Sequence, residues 1–75
     1  MDWREYVAVN PRVLGGTPVM AGTRVPVQVV VGSLAGAMSV DEVCDQYRLT
    51  PAQVQAALAY ATEVMAEERV YALAG

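Results

Sequence analysis

Cys44 is the one thiol of a chain that has no histidine and no lysine. A metal centre needs several thiolate or imidazole ligands, and a lone cysteine cannot supply them. Nucleophilic catalysis needs a nucleophile beside a base, and no such pairing is suggested. Asp41, Glu42 and Asp45 lie close enough in sequence to act as a carboxylate pair. Acids in the first turn of a helix, however, usually serve the helix dipole. No basic neighbour in sequence lowers the pKa of Cys44, so a buried structural thiol is expected there. These residues predict no catalytic site, no metal and no cofactor, and therefore a protein that binds rather than reacts.

The residues that could bind fall into two groups. Arg12, Arg24 and Arg48, the last in the link between two helical segments, carry guanidinium groups that could meet phosphate or a partner. For Arg24 a structural bond to loop carbonyls, or to a carboxylate at a dimer seam, is the slightly stronger reading. For Arg12 and Arg48 it is a solvated surface side chain. Gln53 and Gln55 stand near the start of the last helical segment, where glutamine could pair with adenine edges. Gln53 is also explained by helix capping, and the small Ala52, Ala56 and Ala59 favour close packing. The second group is Tyr60, Glu63, Glu67 and Tyr71, candidates for a protein partner. Amphipathic aromatics, Trp3 and Tyr6 included, are enriched at interfaces, and the acids, Glu68 with them, could face a basic surface. Core packing and solvated charge are the ordinary alternatives.

Seventy-five residues make a single domain, residues 1–75. A chain this short buries only about 60% of its unfolded surface. Yet 55% of the residues are hydrophobic and only 17% are charged. The apolar excess predicts association, and a homodimer is the simplest form. The longest apolar run, Val25 to Leu34, contains Gln, Gly and Ser and is too short to span a bilayer. With no secretory pattern at the N-terminus and a single Cys, a cytoplasmic protein is expected.

These side chains must be positioned by two segments of different grammar. Residues 1–26 carry β and turn signals. Tyr6 to Val9 reads as a short strand stopped by Asn10-Pro11, and Arg12-Val13-Leu14 as a second extended piece, with Val19-Met20-Ala21 further along. Gly15-Gly16-Thr17-Pro18 marks a reversal, and Gly22 offers a positive φ. Strands this short need a partner strand, which a second subunit could supply. Residues 27–75 are helical. A first helix runs from Val27 to Ala35 on a face of Val27, Val30, Val31 and Leu34, with Gly36 as its C-cap. Ser39-Val40-Asp41-Glu42 and Thr50-Pro51-Ala52-Gln53 are successive capping boxes, stapled by Met38 with Val43 and by Leu49 with Val54. Val40, Val43, Cys44 and Tyr47 should share one face of the second helix. Val54, Ala57, Leu58, Ala61, Met65 and Glu68 should share one face of the third. The short Arg48-Leu49-Thr50 link has helix-turn-helix spacing. The fold class expected is mainly α, a short N-terminal β-ribbon followed by a three-helix bundle of helix-turn-helix type.

The string from Pro11 through Gly15-Gly16-Thr17-Pro18-Val19-Met20-Ala21-Gly22-Thr23-Arg24-Val25-Pro26-Val27 resembles the hallmark of the domain of unknown function 433 family. The Gly36 to Ser39 turn and the Leu49-Thr50-Pro51 start also match it. The family includes relatives of VapB-type antitoxins. The resemblance implies the ribbon-plus-bundle fold, dimers, docking on a PIN-like ribonuclease toxin, and repression of the protein's own operon. An antitoxin-like module is therefore expected, with weak operator DNA binding as a second property. A free-standing helix-turn-helix regulator is the alternative. No small-molecule substrate and no membrane are implied. Thr17 and Ala21 stand where many relatives carry basic residues. A dimer would bear twice −3, or −6, in formal charge, which opposes DNA because affinity rests on phosphate neutralisation.

Overall fold

A computed structural model describes residues 2–12 and 14–68 of the chain. Two short strands, β1 (Val7–Ala8) and β2 (Val19–Met20), precede three helices. The helices are α1 (Val27–Ala35), α2 (Val40–Tyr47) and α3 (Pro51–Glu68). A 3-10 turn, Trp3–Glu5, leads into β1. The architecture is mainly helical with a small N-terminal sheet, as the sequence pattern predicts.

The strands find their partners within the chain. β1 and β2 pair antiparallel with Val7 opposite Met20 and Ala8 opposite Val19. An isolated bridge joins Val19 to Pro26 on the other side of β2. A second subunit is thus not required to complete this ribbon, contrary to the expectation above. Such a ribbon is marginal alone, and it holds because its inward side chains enter the helical core. Of the expected extended piece Arg12-Val13-Leu14, Val13 lies outside the described residues and neither Arg12 nor Leu14 is in a strand. Pro11 and Arg12 form a turn, in which the Arg12 N–H donates to Asn10 Oδ1 at 2.9 Å, and Leu14–Gly16 is a tight turn with Gly15 and Gly16 at φ 65° and 86°. Asn bonding its own backbone two residues on is the competing local geometry that overrides the extended pattern.

The turn from β2 into α1 shows what the Gly-Thr-Arg string does. Gly22 takes φ 77°, and the Thr23 N–H donates to the Met20 carbonyl at 3.0 Å. The Thr23 hydroxyl donates to the same carbonyl at 2.7 Å and accepts from the Val25 N–H at 3.0 Å. A hydroxyl and a glycine together close the turn, and Arg24 is left exposed on its outside.

Both capping boxes form. Ser39 Oγ accepts from the Glu42 N–H at 3.1 Å, and Glu42 accepts from the Ser39 N–H at 2.9 Å. Thr50 and Gln53 repeat the exchange at 3.2 and 2.7 Å. The Ser39 backbone N–H first, and the Ser39 side chain after it, hydrogen-bond the Glu42 carboxyl and hold it below its ordinary pKa. A depressed carboxyl adds stability above its unfolded pKa and loses it as pH falls through the folded one. Glu42→Gln keeps the box without the charge. The melting-temperature margin of the natural chain over Glu42→Gln should therefore narrow on acidification, and a margin that is constant with pH would refute this.

α1 ends in a Schellman turn. The Met38 N–H reaches the Ser33 carbonyl and the Ala37 N–H the Leu34 carbonyl, each at 3.1 Å. The left-handed position falls on Ala37 (φ 78°), one residue beyond Gly36. Ala37→Gly should raise stability by about 0.5–1 kcal/mol, since the strain it relieves exceeds the entropy glycine loses. Urea titration of both proteins checks this, and a lower midpoint would overturn it.

Val7, Met20, Val27, Val30, Val43, Leu49, Val54 and Ala57 form one buried cluster. Three residues expected on core faces lie elsewhere: Val40 is 42% exposed, Leu58 41% and Met65 71%. Val40 sits in the first turn of α2. On α3 the buried stripe runs through Val54, Ala56 and Ala57, so Leu58 is rotated toward solvent. Ser33 Oγ and Tyr47 OH lie 3.0 Å apart and tie α1 to α2.

Candidate partner-binding surface

The small residues of α1 and α3 leave a furrow between them. Thr17 and Pro18 close one end, Val27, Gln28, Val31 and Gly32 form the α1 wall, and Tyr60, Ala61, Val64 and Met65 the α3 wall. Its volume is about 420 Å³, within the range of ligand clefts, and among the described residues no charged side chain lines it. At Gly32 an added Cβ would meet nothing within 4 Å, so the missing side chain accounts for part of the furrow. Met65 stands at its edge and is the most exposed of the large hydrophobic residues on α3.

The 3-10 turn Trp3–Glu5 braces the α3 wall from outside. The Trp3 ring meets Tyr60 edge to face, with centroids 4.7 Å apart and planes at 77°. The Trp3 indole N–H donates to a Glu63 carboxylate oxygen. The Arg4 guanidinium lies 4.6 Å from the Trp3 ring centre and 3.9 Å from Glu63. It also pairs with Asp2 at 3.4 Å. Tyr60 and Glu63, expected to face a partner, are thus both engaged within the chain, although Tyr60 still lines the furrow. Sequence gave Trp3 only as an amphipathic aromatic; its contact with Glu63 spans 60 positions and leaves no local signal.

The other candidates scatter. Arg12, Arg24 and Arg48 are exposed in three separate turns, and no ion pair engages them among the described residues. The bond from Arg24 to loop carbonyls is not formed; Thr23 makes the turn's side-chain bonds instead. Arg48 caps α2 in the left-handed conformation (φ 56°) and its N–H reaches the Cys44 carbonyl. Gln53 is half-buried and its side-chain oxygen is committed to Thr50, whereas Gln55 is exposed. Ala56 is fully buried, in keeping with packing rather than groove entry. Glu67 is exposed on α3, and Tyr71 lies outside the described residues. Asp41, Glu42 and Asp45 are all exposed on α2. Cys44 is half-buried and unbridged. No described helix is long and apolar enough to cross a membrane.

The family described as "Protein of unknown function (DUF433)" matches residues 7–61. The chain is also similar to the uncharacterized protein y4eO of Sinorhizobium fredii (strain NBRC 101917 / NGR234), 48% identical over 44 residues. That alignment covers 59% of this chain and 20% of the relative, so the chain spans about a fifth of that protein's length. No solved structure matches.

Proposed function

The chain belongs to the DUF433 family, and from that premise we propose that it is a non-catalytic, antitoxin-like module that docks on a PIN-like ribonuclease and blocks it. The observation that carries this reading is the uncharged furrow between α1 and α3 with Met65 exposed at its edge. Exposed apolar clefts on small domains mark sites for partners. The occupant is an apolar helix face of the nuclease with basic flanks. Glu67 is exposed on the outer half of α3, while Glu63 beside it is shared with Trp3 and Arg4. A nuclease that holds RNA phosphates carries the complementary sign. The module works as a homodimer, with β1, the outer strand of the ribbon, as the seam.

A pull-down of the tagged chain from its native cells, with mass spectrometry of the bound proteins, tests this. One small PIN-like nuclease recovered in stoichiometric amount, and active only after this chain is removed, is the expected result. Recovery of the chain by itself would refute it.

The exposed, unpaired Arg12, Arg24 and Arg48 favour a second reading, a helix-turn-helix DNA-binding regulator. In that docking the first helix crosses the phosphate backbone. Here α2 would bring Asp41, Glu42 and Asp45 to it, which ranks this reading second. DNA binding that falls steeply with salt supports it, and none at low salt removes it.

A further inference from the structure

We propose that Trp3 and Glu63 are positioning residues for the α1–α3 furrow, a clasp by which the N-terminal turn fixes Tyr60 as its wall. The inference rests on the furrow being the binding site. Tyr60 belongs to both structures: it lines the furrow, and Trp3 packs against its ring edge to face. A tyrosine half exposed on a helix has free rotamers. Trp3 limits them only if it is itself held, and the Glu63 carboxylate holds it by accepting the indole N–H. Arg4, stacked on the same ring and 3.9 Å from the same carboxylate, closes the cluster. Trp3, Arg4 and Glu63 all lie outside residues 7–61, the segment shared with the family. Tyr60 lies inside it.

The furrow can be probed without its natural partner, using anilinonaphthalene sulfonate, a dye whose fluorescence rises in apolar sites. Saturable binding of one dye per chain is expected. Gly32→Leu, which fills the open space at Gly32, should abolish it. Glu63→Ala cannot break α3, because alanine is the best helix former. It should weaken dye binding about fivefold, the factor for one hydrogen bond of ordinary net worth. Glu63→Gln should recover most of that loss, since its carbonyl oxygen still accepts the indole N–H. Trp3→Phe keeps the ring but not the donor, and combined with Glu63→Ala it should add nothing further. If Gly32→Leu abolishes binding while Glu63→Ala binds as the natural chain does, the clasp is overturned and the furrow stands. If Gly32→Leu binds unchanged, the furrow falls and the clasp with it.

Discussion

Met20→Ala is expected to cost about 2–5 kcal/mol, the range for truncating a buried methionine. Met20 is fully buried and belongs to the central cluster, although it sits on a strand only two residues long. It is the side chain by which β2 is anchored to the helices. Its loss leaves a cavity between ribbon and bundle and frees the ribbon from the packing that sustains it. At roughly 0.05–0.15 kcal/mol per residue, a 75-residue domain has only about 4–11 kcal/mol in all. The variant should therefore melt far below the natural chain or fail to fold. Met65→Ala removes the same side chain where it is 71% exposed and should shift stability by less than about 0.5 kcal/mol. Urea unfolding of the pair measures the contrast. Equal effects at the two sites would mean that the ribbon is not packed as described.

Met65→Asp should leave folding unchanged and abolish the proposed nuclease complex. A hot-spot residue contributes at least about 2 kcal/mol, which corresponds to roughly thirtyfold in affinity. The introduced carboxylate also adds negative charge where a partner's apolar face would be desolvated. Titration calorimetry with the nuclease recovered in the pull-down reads the loss directly. Unchanged affinity would remove the furrow from the interface even if the complex itself is real. Gln55→Ala, on the exposed start of α3, should leave that affinity as it is.

The left-handed residues bear on how strain is to be interpreted. Arg48 is held at φ 56° in the link between α2 and α3, and an exposed arginine in that conformation invites a functional reading. Ala37 is in the same region at the end of α1 and has no group with which to bind anything. Helix termination therefore accounts for both, and the strain at Arg48 adds nothing to the case for DNA.

What the sequence determined by itself is local. The two capping boxes, the C-cap region at Gly36, the positive φ of Gly22 and the start of α1 at Val27 depend on bonds within a few residues. Their partners are therefore adjacent in the text of the chain. The lack of histidine and lysine and the single cysteine are read in the same way, as composition. The tertiary structure alone decided which helix faces are inside. Val40, Leu58 and Met65 obey the 3.6-residue period but lie outside because rotation about a helix axis is fixed by what packs against it. It also decided that β1 pairs with β2 inside one chain, a pairing set by the turns between them and by Met20 reaching the core. The furrow and its clasp were the least legible. Gly32 and Ala61, or Trp3 and Glu63, acquire meaning only when residues far apart in sequence become neighbours, and no spacing rule within one segment encodes that.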